Sequence, residues 1–191
     1  GLVFSQLHEP ADVRSMEYSI DFFRDRSAAD DHFTYHETGF LRTGTEAERP
    51  AFEREVAMQR AEGVEVRLVD RDEMRDIYPA LSLDGVTVGT YAPGDGYADP
   101  HTFTTSLLDE ARSLGIDYRP NTRVTDVHLG GDPVVETESG TVRTEVVVLA
   151  AGPWSRSVAA LAGVDLPVKP YRTQAMVTTP VDFDVGAVYD A

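Results

Sequence analysis

Val147-Val148-Leu149-Ala150-Ala151-Gly152-Pro153-Trp154-Ser155 has the composition of a buried strand that ends in small residues and turns into a helix. Small side chains let a ligand approach the backbone. The N–H groups opening a helix attract phosphate oxygens in the crevice beyond the carboxyl ends of parallel strands. Tight packing of helix on strand would use the same residues without any ligand. Further along, Arg172 and Gln174 stand two apart on one face of a strand predicted over 171–179, where they could hold a substrate carboxylate. A salt bridge at a sheet edge accounts for Arg172 equally well.

Metal chemistry is poorly supported. His32 and His36, with Glu37 adjacent, would have metal-ligand spacing on a helix, but the segment reads as strand and no third ligand is evident, so no metal site is expected. Asp95 and Asp99 lack the Asp-x-Asp-x-Asp-Gly run of a calcium loop, and a turn followed by a helix cap explains both.

The elements that must position these residues follow from periodicity. Pro10 opens a helix with Val13, Met16, Ile20 and Phe23 on one face. Short strands around Phe33, Tyr35 and Phe40-Leu41 precede a helix over 50–62 with Phe52 and Val56 facing inward. A strand over 64–68 leads to Asp70-x-x-Glu73, a capping signal for a short helix ended by Pro79. Val86, Val88 and Tyr91 alternate toward the turn at 93–96. Asp99-Pro100 then caps a helix with the stripe Phe103, Leu107, Ala111 and Leu114. The last third reads as strands over 122–129, 134–137 and 141–150, a helix over 153–162, and the strand over 171–179. Four unalternating apolar residues, Val146 to Leu149, predict burial on both faces.

Composition narrows the function. The 191 residues carry 33 Asp and Glu against 17 Lys and Arg, a net charge of −16, which repels nucleic-acid backbones. Only Lys169 among those cations is Lys, a skew that points to adaptation to high salt, although chance in an acidic protein would produce it too. Without Cys there is no disulfide or thiolate chemistry, and a cytoplasmic location is expected. No run is long enough to span a membrane.

Ala150-Ala151-Gly152-Pro153-Trp154-Ser155, then Leu161-Ala162-Gly163-Val164 and Leu166-Pro167-Val168, resemble the middle of the D-amino-acid oxidase family of FAD-dependent oxidoreductases. Arg67 to Pro79, Gly85 through Tyr91-Ala92-Pro93, Asp95-Gly96, Asp99-Pro100 and Ala111-Arg112-Ser113-Leu114-Gly115 follow in the family's order. The likeness covers most of the chain and is strongest to the glycine, sarcosine and dimethylglycine oxidase branch. It implies a mixed α/β fold: residues 1–30 and 115–165 as part of an FAD-binding domain, and 31–114 and 166–191 as part of a mixed-sheet substrate domain.

The resemblance also implies site residues. Gly1, Leu2 and Val3 would lie near the flavin or its ribityl chain, and Val124 would meet the adenine edge through its backbone. Ala150, Ala151 and Gly152 would border FAD, with Trp154 beside them; the catalytic group is not identified. Phe4 departs from the pattern, since many relatives carry Arg there before Ser-Gln. The family's Gly-x-Gly-x-x-Gly turn is not found ahead of Gly1, so the chain is expected to be a middle segment, inactive in isolation. The implied reaction oxidises the C–N bond of a small amine or amino acid to an imine while reducing the flavin. The alternative is a non-catalytic flavoprotein-like scaffold, and association into an oligomer is left open.

Overall fold

Asp70 and Glu73 form a reciprocal capping box in the computed structural model. Asp70 Oδ1 accepts from the Asp72 and Glu73 backbone N–H groups at 2.9 Å each, and Glu73 Oε2 accepts from the Asp70 N–H at 3.0 Å. These bonds satisfy donors that a helix start leaves open. Asp70→Ala is expected to lower stability by about 1 kcal/mol, read as an earlier midpoint in urea unfolding.

The structure describes residues 1–174, 176, 179, 180 and 182, and the backbone of Ala187–Asp190. Two units divide the chain: Gly1–Gly115 with Pro180–Ala191, and Ile116–Thr179. The first unit runs β1 (Leu2–Val3), α1 (Pro10–Ala29), β2 (Tyr35–Glu37), β3 (Phe40–Gly44), α2 (Arg49–Ala61), β4 (Arg67–Val69), α3 (Arg71–Ile77), β5 (Val88–Ala92), β6 (Gly96–Ala98) and α4 (Pro100–Ser113). The second contains β7 (Val124–His128), β8 (Val134–Thr137), β9 (Gly140–Arg143), a 3₁₀ turn at Gly152–Trp154 and α5 (Ser155–Leu161). β10 (Ala187–Asp190) belongs to the first unit.

Helices α1, α2 and α4 each carry Pro in the first turn, where its missing N–H costs no hydrogen bond. In the first unit one sheet has the order β1-β6-β2 and is antiparallel throughout. The other has the order β10-β3-β5-β4, antiparallel except that β10 runs parallel to β3. Val3, Ile20, Phe33, Tyr35 and Ala98 form a core between α1 and the first sheet, with Phe23 and Phe103 packed against it. Val13, Val56, Val64, Val66 and Ala92 make a second cluster, and Leu41, Val69, Met74, Tyr78 and Leu83 a third. The second unit is the antiparallel meander β7-β8-β9 with Val127 and Ala159 buried. No described helix is long and apolar enough to cross a membrane.

The mixed helix-and-strand class is as expected, but four local readings need correction. The strand predicted over 141–150 stops at Arg143, and 144–150 join no sheet. A strand needs a neighbour to take its N–H and C=O groups, and no described strand lies beside this segment. Val146 and Val148 are therefore exposed, at 70% and 83%, while Val147 and Leu149 line an apolar cleft, so the expected two-faced burial becomes cover on one face. The strand predicted over 64–68 begins only at Arg67, since Val64 and Val66 are buried by side-chain packing without ladder pairing. Leu114 caps the end of α4 and turns outward instead of continuing its stripe. Arg172 and Gln174 are exposed and belong to no strand, and the rest of 171–179 lies partly outside the described residues.

Candidate functional site

Where the chain leaves β1 it is held by a buried polar network. The Ser5 N–H and Oγ both donate to Asp95 Oδ1, at 2.9 and 2.7 Å. Gln6 Nε2 donates to the Phe40 carbonyl at 2.7 Å, and Gln6 Oε1 accepts from Thr90 Oγ1 at 2.5 Å. Ser5, Gln6, Thr90 and Asp95 are all buried. Phe4 stacks on Phe40 with ring centres 5.0 Å apart. The segment is thus fixed by β3, β5 and the turn that joins β5 to β6, and no cation occupies position 4.

Asp95 Oδ2 is buried without a hydrogen-bond partner among the described residues. Burial pushes the Asp95 carboxyl up to about 6, against the two bonds from Ser5 that favour its ionised form. It borders a cleft of 170 Å³ also lined by Ser5, Glu17, Arg24 and Glu65. Burial raises Glu17 as well, while Glu37 hydrogen-bonds Arg24 and holds its guanidinium charged. Sequence reasoning placed Asp95 in a turn and missed its burial, because its partner Ser5 is remote in sequence.

A second charged contact lies nearby. Arg42, 8% exposed, donates through Nη1 to Glu55 Oε2 at 2.6 Å and lies 5.0 Å from the Phe52 ring centre. Removing its partner leaves a guanidinium largely out of water, so Glu55→Ala is expected to cost about 2 kcal/mol, less than for a fully buried pair because Glu55 is partly exposed. Chemical denaturation of the variant against wild type measures it.

Among the other predicted residues of the first unit, Gly1 and Leu2 are exposed, while Val3 spends its side chain in the core and offers a ligand only backbone. His32 lies in a turn and His36 on β2, both lining a cleft of 340 Å³ with Gly1, Thr34, Tyr97 and Asp99. The His36 ring stacks on Tyr97 at 4.7 Å. Neither histidine joins a group of three metal-type ligands among the described residues.

The second unit gathers the small residues onto one turn. Ala150 is exposed, Ala151 half-buried, and Gly152 adopts φ +50 with nothing within 4 Å of where a Cβ would stand. That left-handed conformation is one that other L-residues enter at a cost. Trp154, 69% exposed, closes the turn ahead of α5. Val124 starts β7, beside a bulge between Val124 and Asp126. An apolar cleft of 150 Å³ is lined by Val127, Leu129, Val147, Leu149, Ala159 and Val164. Ala150, Ala151, Gly152 and Trp154 therefore adjoin open space, whereas Arg172 and Gln174 are not set on a shared strand face.

The same fold is found in solved amino-acid oxidoreductases. The L-proline dehydrogenase of P. horikoshii superposes with a TM-score of 0.81 at 28% identity, over 86% of this chain and 45% of that one. Glycine oxidase from Geobacillus kaustophilus superposes with a TM-score of 0.71 at 26% identity, over 89% and 48%. The chain belongs to the FAD dependent oxidoreductase (DAO) family, whose model matches residues 1–190. Rat (Rattus norvegicus) mitochondrial dimethylglycine dehydrogenase is 31% identical over 150 residues, 77% of this chain and 18% of the relative. D-amino acid dehydrogenase of Neisseria meningitidis is 30% identical over 181 residues, 92% and 43%. The chain spans less than half the length of each of these relatives.

Proposed function

We propose that this chain forms part of an FAD-dependent enzyme that oxidises the C–N bond of a small amine or amino acid, of the sarcosine, dimethylglycine or glycine type, to an imine. The observation that carries the reading is the Ala150-Ala151-Gly152 turn, whose small side chains, with Gly152 at φ +50, leave the backbone open to a large flat ligand. FAD fits such a cradle, and a Cβ at Gly152 would project into the space that the ligand needs. When bound, FAD would supply the acceptor for the hydride equivalent leaving the carbon next to the amine.

The rest falls to the chain's own residues. Residues 1–30 and 115–165 would build the cofactor side, and 31–114 and 166–191 the substrate side. The backbone of Gly1, Leu2 and Val3 would border the ring or its ribityl chain, held in place by the Ser5–Asp95 and Gln6–Thr90 bonds. Val124 would present its backbone to the adenine, Ala150, Ala151 and Gly152 would lie along the cofactor, and Trp154 would flank it. Arg172 and Gln174 would hold the substrate carboxylate, orienting the C–H to be broken. With Phe4 stacked on Phe40, position 4 would supply no positive charge to a bound flavin.

The test is the visible spectrum of the purified full-length protein under anaerobic conditions, in high salt, before and after adding sarcosine, dimethylglycine, glycine or proline. Loss of the oxidised flavin bands with one of these substrates supports the reading and names the substrate. A protein that carries no flavin and takes up none when FAD is added would sink it and leave a scaffold role.

A further inference from the structure

Three ligand-type side chains converge on the outward face of the β7–β8 hairpin. Asp126 and His128, two apart on β7, share a face, and antiparallel pairing sets Asp126 directly opposite Glu136 on β8. His128 Nε2 is 3.2 Å from Glu136 Oε1 and 3.8 Å from Asp126 Oδ2, and the three donor atoms lie within 4.8 Å of one another. Two ligands, each about 2.1 Å from a tetrahedral ion, stand about 3.4 Å apart. The two His128 edges bracket that separation, and the third, between Asp126 and Glu136, lies within 4.8 Å.

The surroundings favour a cation. Asp126 Oδ1 accepts from the Val127 N–H at 2.8 Å, leaving Oδ2 toward His128; an outer bond of this kind orients a ligating carboxylate. Val127 itself is buried on the opposite face, which anchors the strand. Like charges directly opposite on paired strands repel, and this chain places Asp126 against Glu136 in a protein of net charge −16. A dication between them would turn that repulsion into attraction.

We propose that Asp126, His128 and Glu136 bind one divalent transition-metal ion of the zinc class, with water in the remaining positions. One imidazole nitrogen and two carboxylate oxygens suit Zn²⁺, Co²⁺, Ni²⁺ or Mn²⁺ better than an all-oxygen site suited to Ca²⁺ or Mg²⁺. The bound ion would tie β7 to β8. This site is independent of the flavin reading, and either can fail without the other.

Equilibrium dialysis of the tag-free, full-length protein against Zn²⁺, followed by metal analysis, tests it, with Co²⁺ as a second probe through its visible d–d bands. One saturable Zn²⁺ is expected that Asp126, His128 and Glu136 account for. D126N, H128Q and E136Q are each expected to weaken it about tenfold or more, and the triple variant to remove it. H32Q and H36Q are expected to leave it unchanged. These near-isosteric surface changes are checked for intact folding by circular dichroism. Equal uptake by wild type and triple variant, or no saturable ion in wild type, would overturn the proposal and leave His128 as a hydrogen-bond partner of its two neighbours.

Discussion

Gly96→Ala is expected to disrupt the β1-β6-β2 sheet and lower stability by about 3 kcal/mol or more. Gly96 sits in the central strand, paired with Val3 on one side and Glu37 on the other. A Cβ there would stand 1.9 Å from the His36 carbonyl oxygen and 2.8 Å from its carbon. These are backbone atoms within the neighbouring strand, so no rotamer can relieve the overlap. Either β6 and β2 separate, giving up ladder bonds over Tyr35–Glu37, or the strands tilt and loosen the core around Val3 and Phe33. Urea unfolding monitored by circular dichroism reads the change, and a midpoint equal to wild type would show that the sheet tolerates a side chain at this position.

The second large effect is a pH dependence centred on Asp95. Its carboxyl sits at about 6 in the folded protein, against about 3.9 in an unfolded chain. Between those values the folded state binds more protons than the unfolded one, so stability from this group falls as pH rises through the window. Lowering the pH from 7 to 5 is therefore expected to stabilise the protein, with a ceiling of about 3 kcal/mol for complete protonation. The charges facing the group, Glu17, Glu37 and Arg24, belong to the same region. Asp95→Asn keeps an oxygen for Ser5 and is expected to flatten the profile between pH 4 and 6. Asp95→Ala, which strands both Ser5 donors, is expected to cost about 2 kcal/mol. Thermal unfolding of wild type and Asp95→Asn across this range checks the sign, and parallel profiles for the two would contradict it.

What the sequence revealed was mostly local. Pro10, the Asp70–Glu73 pair and Asp99-Pro100 announced helices because caps act within one turn, and each helix begins where those residues placed it. The meander was legible from alternation and from the turn at Glu138-Ser139-Gly140. Val146 to Leu149 misled because an apolar run records a tendency to be buried and not the presence of a neighbour to bury it. Ala150 to Gly152 stood out by size alone. Asp95 was opaque for the opposite reason. Its neighbours Gly94 and Gly96 signal a turn, while its burial depends on Ser5, 90 residues away in sequence. The Asp126–His128–Glu136 group was equally hidden, since Glu136 joins it only through the hairpin register.

The parallel pairing of β10 with β3 bears on how the protein is made. Ala187–Asp190 lie beside Phe40–Thr43, so about 140 residues, including the whole second unit, are looped out between the paired strands. Such a long closure adds little to the equilibrium cost because the penalty grows only with the logarithm of loop length, but it delays the contact. During synthesis β3 must therefore wait with one edge unpaired while Ile116–Thr179 emerges, and that open edge is where a nascent chain would recruit the wrong strand. The order of translation thus favours early, independent collapse of the β7-β8-β9 meander, with the mixed sheet sealed last.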